Sequence, residues 1–337
     1  MDAWVWAVVA LGLIFEFVNG FHDAANAIAT SVLTRALSIR TAVVLCAIIN
    51  FVGALSSKAV ATTMGKGIVD PTNITSQVVV AALMGAIIWD IITWRVGMPT
   101  SSTHAIVGGV IGAAVGSKGW SIVELAGTKK VFLGLVISPI AGILVAFVVM
   151  VLFLWIFGHQ QAARLNRRFR FMQVVTTVMM AFSHGQNDGQ KSMGVIAMAI
   201  FAGSAVAASH GHGPAPHFEI PLWVMIGCAA AMGLGSGMGG WKIIKTIGRG
   251  VMDLEPIHGC VAQFSAAVII MGASRFGAPI STTHTVSSTI MGVGISKSLR
   301  AVKWKVVGNI MLAWVLTMPA SAGIAWVCVE LLKSVTG

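Results

Sequence analysis

Charged residues are scarce in this chain of 337 residues: only 10% are Asp, Glu, Lys or Arg, whereas 56% are hydrophobic. A soluble domain carries about 25% charged residues, so this deficit excludes an ordinary soluble protein. Runs of about 20 apolar residues, each long enough to cross a bilayer as a helix, follow one another along most of the sequence. The composition therefore predicts an all-α polytopic membrane protein whose solvent is the lipid bilayer.

Cysteine and acidic residues are also few. The four Cys lie singly in apolar segments without the spacing of metal ligands, so we predict neither a metal centre nor a disulfide framework. The 11 acidic residues are outnumbered by 22 basic ones, a balance that often indicates nucleic-acid binding. Here the basic residues cluster in short loops between apolar spans, as the positive-inside rule describes. We therefore predict no nucleic-acid partner and no cofactor.

Ten hydrophobic segments can be counted along the chain. The first and sixth are over-long and polar in the middle, which predicts broken helices. The fourth and ninth are short and rich in Gly, Ser and Thr, which makes them candidates for re-entrant hairpins. The segments are 4–34, 40–62, 77–95, 98–117, 131–157, 172–200, 221–240, 250–274, 278–296 and 306–330.

The distribution of basic residues predicts the topology. If the N-terminus is outside and each segment crosses once, 14 basic residues face the cytoplasm and seven face outward. The basic stretch 158–171 is then a cytoplasmic linker between a first transmembrane repeat, 1–157, and a second, 172–337. The His-rich loop 209–217 would lie outside. We interpret it as a flexible polar loop, although such a tract can also bind a metal.

A polar pattern, R-x-G-x-P-x-S-[ST]-T-H, occurs twice, at 95–104 and 275–284. Pro99 and Pro279 cannot continue a helix but can start one, so the Ser and Thr residues that follow occupy a first turn. Free backbone N–H groups, hydroxyls and the positive helix end together make an anion site. The alternative is tight helix packing by small residues. The candidate substrate-binding residues are Ser101, Ser102, Thr103, Ser281, Thr282 and Thr283.

A second polar motif is also repeated, at 19–27 and 184–192, and aligning Gly20 with Gly185 superposes Asp23 on Asp188. Ionisable groups within spans cost about 2.5–3.5 kcal/mol each and usually mark substrate or ion paths. The candidates for cation coupling are Asp23, Asp188, His22, His184 and Asn187. Gln190 and Lys191, in the same stretch, are candidates for substrate binding. A structural ion pair between Asp188 and Lys191, one helical turn apart, is the alternative.

The duplication also predicts how the halves are arranged. Five crossings per half is an odd number, so the second half enters the membrane upside down. The result is two inverted-topology repeats related by a pseudo-two-fold axis in the membrane plane, the architecture of a secondary transporter. Two inverted boxes then point at one central site. A tetrahedral oxyanion, which accepts hydrogen bonds from all directions, suits that site.

At these residues the chain resembles the inorganic phosphate transporter (PiT) family of secondary carriers, in its bacterial low-affinity type. The resemblance rests on GFHDAANAIAT at 20–30, FSHGQNDGQKSMG at 182–194 and the two boxes. It implies uptake of inorganic phosphate coupled to a cation, by a multi-pass protein of the cell inner (plasma) membrane. It also implies a site built from both repeats, in which Asn26 joins the candidate substrate-binding residues.

The second motif departs from its sodium-coupled relatives, because Lys191 stands where Asn26 lies in the first repeat. A nearby ammonium disfavours a bound metal cation, which favours proton symport with alternating access. Sodium coupling, a metal–phosphate complex as cargo, the sulfate branch of the family and an anion channel remain alternatives. An intramembrane hydrolase is disfavoured because the boxes come as equivalent pairs, so we predict no enzyme. The expected partners are inorganic phosphate and the bilayer, and a homodimer is left open.

Overall fold

The computed structural model describes residues 2–158, 160–209, 217–238, 243–244 and 251–336. Within these residues the fold is built from α-helices, which confirms the predicted class. The helices are α1 (Ala3–Leu33), α2 (Ile39–Leu55), α3 (Ala59–Lys66), α4 (Ser76–Val96), α5 (Ser102–Lys118), α6 (Leu125–Phe157), α7 (Ala162–Asp188), α8 (Lys191–Ser209), α9 (Leu222–Met238), α10 (Pro256–Arg275), α11 (Thr282–Lys297) and α12 (Trp304–Thr336).

The outer surface of the bundle is apolar. Among the described residues, five helices are long and apolar enough to cross a membrane, or six if the bent pair α2–α3 is one span. The long helices α6 and α12 expose large hydrophobic side chains along their length, including Val136, Ile140 and Val315. An apolar surface of this extent faces lipid rather than water. The membrane location is thus confirmed, while the count of ten crossings remains a prediction.

The helix breaks fall only partly where the sequence predicts them. The sixth segment is broken as predicted, since α7 ends at Asp188 and α8 begins at Lys191. The break predicted in the first segment is wrong, because α1 runs without interruption through His22 and Asp23. Both side chains find partners on neighbouring elements, so the backbone need not open to satisfy them. An unpredicted break divides the second segment, where α2 and α3 are bent by 68°.

The helices of the two halves make equivalent contacts. Helix α1 packs on α9 as α7 packs on α2, and α5 packs on α12 as α11 packs on α6. A Cβ added at Gly112 of α5 would lie 2.2 Å from the carbonyl oxygen of Ala322, and one added at Gly292 of α11 would lie 2.3 Å from that of Ile143. Glycine thus allows the same close approach in both halves. This equivalence supports the duplication, whereas inversion of the second half remains a prediction.

Three further predictions concern segments whose position in the membrane stays open. Helix α7 begins at Ala162, so most of the basic stretch 158–171 is helical; its cytoplasmic location, and the repeat boundaries that it separates, remain predictions. Helices α5 and α11 have 17 and 16 residues, fewer than the about 20 that a span needs. Their interpretation as re-entrant segments also remains a prediction. Residues 210–216 of the His-rich loop lie outside the described residues.

Candidate substrate site

The two boxes form helix N-termini, as the prolines predict. Ser101 caps α5 by accepting a hydrogen bond from the backbone N–H of His104 at 3.2 Å, and Ser281 caps α11 in the same way through His284 at 3.1 Å. The two histidine rings lie against each other with centroids 4.4 Å apart. The first turns of both helices, one from each half, therefore meet in the interior of the protein.

The carboxylate of Asp23 joins the two boxes. One oxygen accepts a hydrogen bond from the Ser102 hydroxyl at 2.8 Å, and the other lies 2.9 Å from Nδ1 of His22 and 3.4 Å from the Thr283 hydroxyl. Ser102 belongs to the first box and Thr283 to the second. Asp23 itself is only 1% exposed. The predicted convergence of the first carboxylate with both boxes is therefore present in the structure.

The carboxylate of Asp188 is equivalent in position but differs in its partners. It accepts a hydrogen bond from the Thr282 hydroxyl at 3.0 Å, and its other oxygen lies 2.7 Å from Nζ of Lys191. The same ammonium donates to the hydroxyl of Thr103 in the first box. All four side chains are buried. Lys191 thus links the second carboxylate to the box of the other half.

Asn26 makes the reciprocal link. Its amide nitrogen donates to the hydroxyls of Thr283 at 2.9 Å and Thr282 at 3.4 Å, both in the box of the second half. Its amide oxygen is buried and has no hydrogen-bond partner among the described residues. The site therefore offers hydroxyl, amide and ammonium donors around one point, together with an unused acceptor.

His22 and its repeat mate Asn187 brace the two boxes. His22 Nε2 lies 3.3 Å from the Thr93 hydroxyl and 3.4 Å from that of Thr100. Asn187 accepts a hydrogen bond at 3.3 Å from the backbone N–H of Ile280, which occupies the place of Thr100 in the second box. Asn187 thus holds the backbone that leads into α11. Its contacts are those of a positioning residue.

A cation site can also be drawn from the described residues. The ligand atoms of Asp23, His184 and Asp188 lie within 4.8 Å of one another. His184 Nδ1 contacts the side-chain oxygen of Asn50 at 3.1 Å, while its Nε2 lies 3.6 Å from Asp188 and makes no hydrogen bond within the described part of the chain. Two carboxylates and an imidazole suit a divalent ion. The ammonium of Lys191, already paired with Asp188, opposes one electrostatically.

Gln190 lies outside this group of hydroxyls and carboxylates. Its amide oxygen accepts hydrogen bonds from the backbone N–H groups of Val60 at 3.1 Å and Ala61 at 3.3 Å, and its nitrogen donates to the carbonyl of Gln186 at 2.7 Å. The side chain therefore caps the N-terminus of α3 at the break after α2. This role has no signature in the motif, because the capped helix lies about 130 residues away in the sequence.

The sequence motifs also leave out part of the site. Thr93 and Thr100 hold His22, and only Thr100 lies within a box, at its variable position. Glu16 is a buried carboxyl with partners, since it accepts hydrogen bonds from Asn19 at 3.3 Å and from Ser192. Asp90 is buried with no hydrogen bond to either carboxylate oxygen among the described residues.

This arrangement of two boxes and two acidic motifs can be compared with known proteins. A model of the Phosphate transporter family matches residues 19–325. The chain belongs to the phosphate transporter family. Its members are transporters, which confirms the prediction that the protein is not an enzyme. The match also places the protein in the plasma membrane as a multi-pass transporter with phosphate as its substrate class, in agreement with the resemblance drawn from the motifs.

Relatives match over nearly the whole chain. The chain is 43% identical over 317 residues to the probable low-affinity inorganic phosphate transporter of Bacillus subtilis (strain 168), covering 94% of this chain and 93% of the relative. It is 41% identical over 322 residues to the protein of the same description from Rhizobium meliloti (strain 1021), covering 95% and 94%. A solved structure described as "The sodium-dependent phosphate transporter" superposes with a TM-score of 0.89 at 26% identity, covering 99% of this chain and all of the other.

Proposed function

We propose that this member of the family imports inorganic phosphate by proton symport with alternating access. The observation that carries the proposal is the position of Lys191, whose ammonium contacts Asp188 in its own half and Thr103 in the other. It places a basic side chain where the first repeat has the neutral Asn26. A positive charge that belongs to the chain takes over part of the role that a bound metal cation would otherwise have.

Phosphate binding fits the donors around this point. The hydroxyls of Ser102, Thr282 and Thr283 now donate to carboxylates, and a bound phosphate would take them over. The N-termini of α5 and α11 add backbone N–H groups and the positive ends of two helix dipoles. The unpaired amide oxygen of Asn26 can accept a hydrogen bond from a protonated phosphate oxygen. Donors from both halves would then surround one tetrahedral anion.

The charges of the site supply the reason for coupling. With both Asp23 and Asp188 ionised and Lys191 protonated, these three buried side chains carry one net negative charge at the place where an anion must bind. In a buried site this repulsion is poorly screened. Protonation of a carboxyl group in or beside the site offsets this repulsion. Phosphate and protons would therefore bind together and be released together.

Alternating access requires that the two halves separate at this site on one membrane face at a time. The links that would open cross between the halves and include Asp23 to Thr283, Asn26 to Thr283 and Lys191 to Thr103. All of these side chains are at most 2% exposed, as a state closed to both sides requires. A channel, by contrast, needs a continuous path, so the buried site favours a carrier.

Sodium coupling is the second candidate. It is favoured by the solved relative, which is described as sodium-dependent, and by the group formed by Asp23, His184 and Asp188. Labelled phosphate uptake into proteoliposomes, with proton and sodium gradients imposed separately, distinguishes the two. Uptake that follows an inward proton gradient and ignores sodium supports our proposal, whereas sodium-driven uptake without response to pH refutes it.

The same assay tests the cargo. Strong competition by sulfate would move the protein to the sulfate branch, and a strict requirement for a divalent metal would indicate a metal–phosphate complex. Saturable uptake with counterflow is expected of a carrier and would exclude an anion channel. A mass measurement of the purified protein in detergent tests the homodimer.

A further inference from the structure

Asp90 on α4 is an unexplained carboxyl group in the membrane interior. It is fully buried, and neither side-chain oxygen has a hydrogen-bond partner among the described residues. An ionised carboxylate in such a place is costly unless it is paired or neutralised. Glu16 is equally buried but has partners in Asn19 and Ser192. Asp90 therefore differs from the other carboxyls of the interior and requires a reason.

The surroundings of Asp90 connect it to the phosphate site. The charged and titratable groups near enough to act on it electrostatically are His22, Asp23 and Lys191. Thr93, one turn further along α4, bonds to the backbone carbonyl of Asp90 at 3.1 Å and lies 3.3 Å from Nε2 of His22. Thr93 thus contacts both the backbone of Asp90 and the imidazole of His22.

His22 can exist in two protonation states in this geometry. Its Nδ1 lies 2.9 Å from the carboxyl of Asp23 and carries a proton in either state when Asp23 is ionised. Its Nε2 faces the hydroxyls of Thr93 and Thr100. A hydroxyl can rotate to donate to a bare nitrogen or to accept from an N–H. The imidazole can therefore gain or lose a proton at Nε2 without moving.

We infer that Asp90 is a proton-binding group of the transport cycle, paired with His22. With the proton on Asp90, the carboxyl and His22 are both neutral. When the proton passes to His22, a carboxylate and an imidazolium form and offset each other. Binding of phosphate to a site with one net negative charge favours uptake of one further proton, which converts the Asp90 carboxylate to the acid. Departure of phosphate releases that proton to the opposite side. This inference rests on the proposed proton coupling.

Asp90→Asn tests the inference in proteoliposomes. The amide has the same shape but cannot carry the proton. We expect proton-driven accumulation of phosphate to fall at least tenfold, while phosphate counterflow, which needs no net proton movement, continues and loses its dependence on pH. The control is Glu330→Gln, which alters an exposed carboxyl far from the site that pairs only with Lys333 among the described acidic and basic groups around it. It should keep both proton-driven accumulation and the pH dependence of the unaltered protein.

The outcomes separate this inference from the proposed function. Accumulation by Asp90→Asn that equals the unaltered protein in size and pH dependence overturns the inference alone. Sodium-driven uptake by the unaltered protein overturns the proposed function, and the inference with it. If Asp90→Asn loses counterflow as well, Asp90→Glu must restore both counterflow and accumulation, because it retains the proton-binding group. Failure of Asp90→Glu to restore them would refute a proton-carrying role.

Discussion

Replacing Lys191 by Asn is the most direct test of how the two halves cooperate. The ammonium is fully buried, lies 2.7 Å from one oxygen of Asp188 and also binds Thr103 of the other half. Removing one partner of a buried ion pair costs about 3–5 kcal/mol, because the other charge is left without compensation. Asn is also the residue that the first repeat has at this place, so the change makes the repeats alike.

Two effects should follow from Lys191→Asn. The net charge of the site becomes more negative by one, which disfavours a bound anion. If about 3 kcal/mol of the lost ion-pair free energy falls on the phosphate-bound state, phosphate affinity should fall by about 100-fold or more, because each 1.4 kcal/mol corresponds to a tenfold change. An added cation can then offset the missing ammonium, so a dependence on sodium should appear. Uptake into proteoliposomes at varied phosphate, with and without sodium, measures both effects.

The stability of the protein in detergent supplies the companion measurement. Lys191→Asn should lower the unfolding temperature, and adding Asp188→Asn should recover most of the loss, because no charge is then left alone. The matched control is Lys333→Asn, since Lys333 also pairs with an acid three residues away, Glu330 at 3.0 Å, but at the surface. Exposed pairs contribute about 0–1 kcal/mol. Equal effects of the two lysine changes on stability and affinity would refute the reasoning.

Three further predictions address the substrate, the topology and the fold. Ser102→Ala and Thr282→Ala should each weaken phosphate binding about 10- to 150-fold, because a hydrogen bond to a charged group contributes about 1.5–3 kcal/mol. Ser121→Ala, at the surface, should leave phosphate binding unchanged. Unchanged affinity in both site variants would show that the boxes serve helix packing rather than substrate binding. A Cys at the exposed Gln161 should react with a membrane-impermeant reagent only from the cytoplasm. The background should be low because the four native Cys are buried. Labelling of intact cells from outside would contradict the predicted topology. Gln190→Ala should lower the unfolding temperature and leave phosphate affinity unchanged, because this side chain caps α3; a loss of affinity at full stability would return it to the site.

The convergence of the two boxes and the two aspartates on one site could be predicted because both motifs occur twice in the sequence. The two boxes and the two aspartates recur in the same order, and a duplicated fold brings equivalent elements together. Asp23 and Asp188 accordingly lie beside Ser102 and Thr282. Helix initiation after Pro99 likewise follows from local backbone chemistry, and the cap at Ser101 confirms it.

The remaining features depend on tertiary partners that a local pattern does not contain. The polar residues of the first motif predict a break in α1, yet the helix continues because Thr93, Ser102 and Thr283 of other elements satisfy His22 and Asp23. The sequence alone therefore locates the polar groups but does not say whether the backbone opens to accommodate them.

The comparison of Asn26 with Lys191 shows what the duplication preserves and what it changes. Each side chain comes from the acidic motif of one half and reaches the box of the other, Asn26 through Thr283 and Lys191 through Thr103. The reach across the halves is thus the same, but only one of the two links is charged. Symmetric packing suits a scaffold whose halves exchange roles as the site opens to one face and then the other. Because the two links differ in charge, the side chain at this one position sets the net charge of the site, and with it the number of cations that must accompany one bound anion. On the proposed mechanism, the residue aligned with Asn26 is therefore the place where the coupling ion can change without a change of fold.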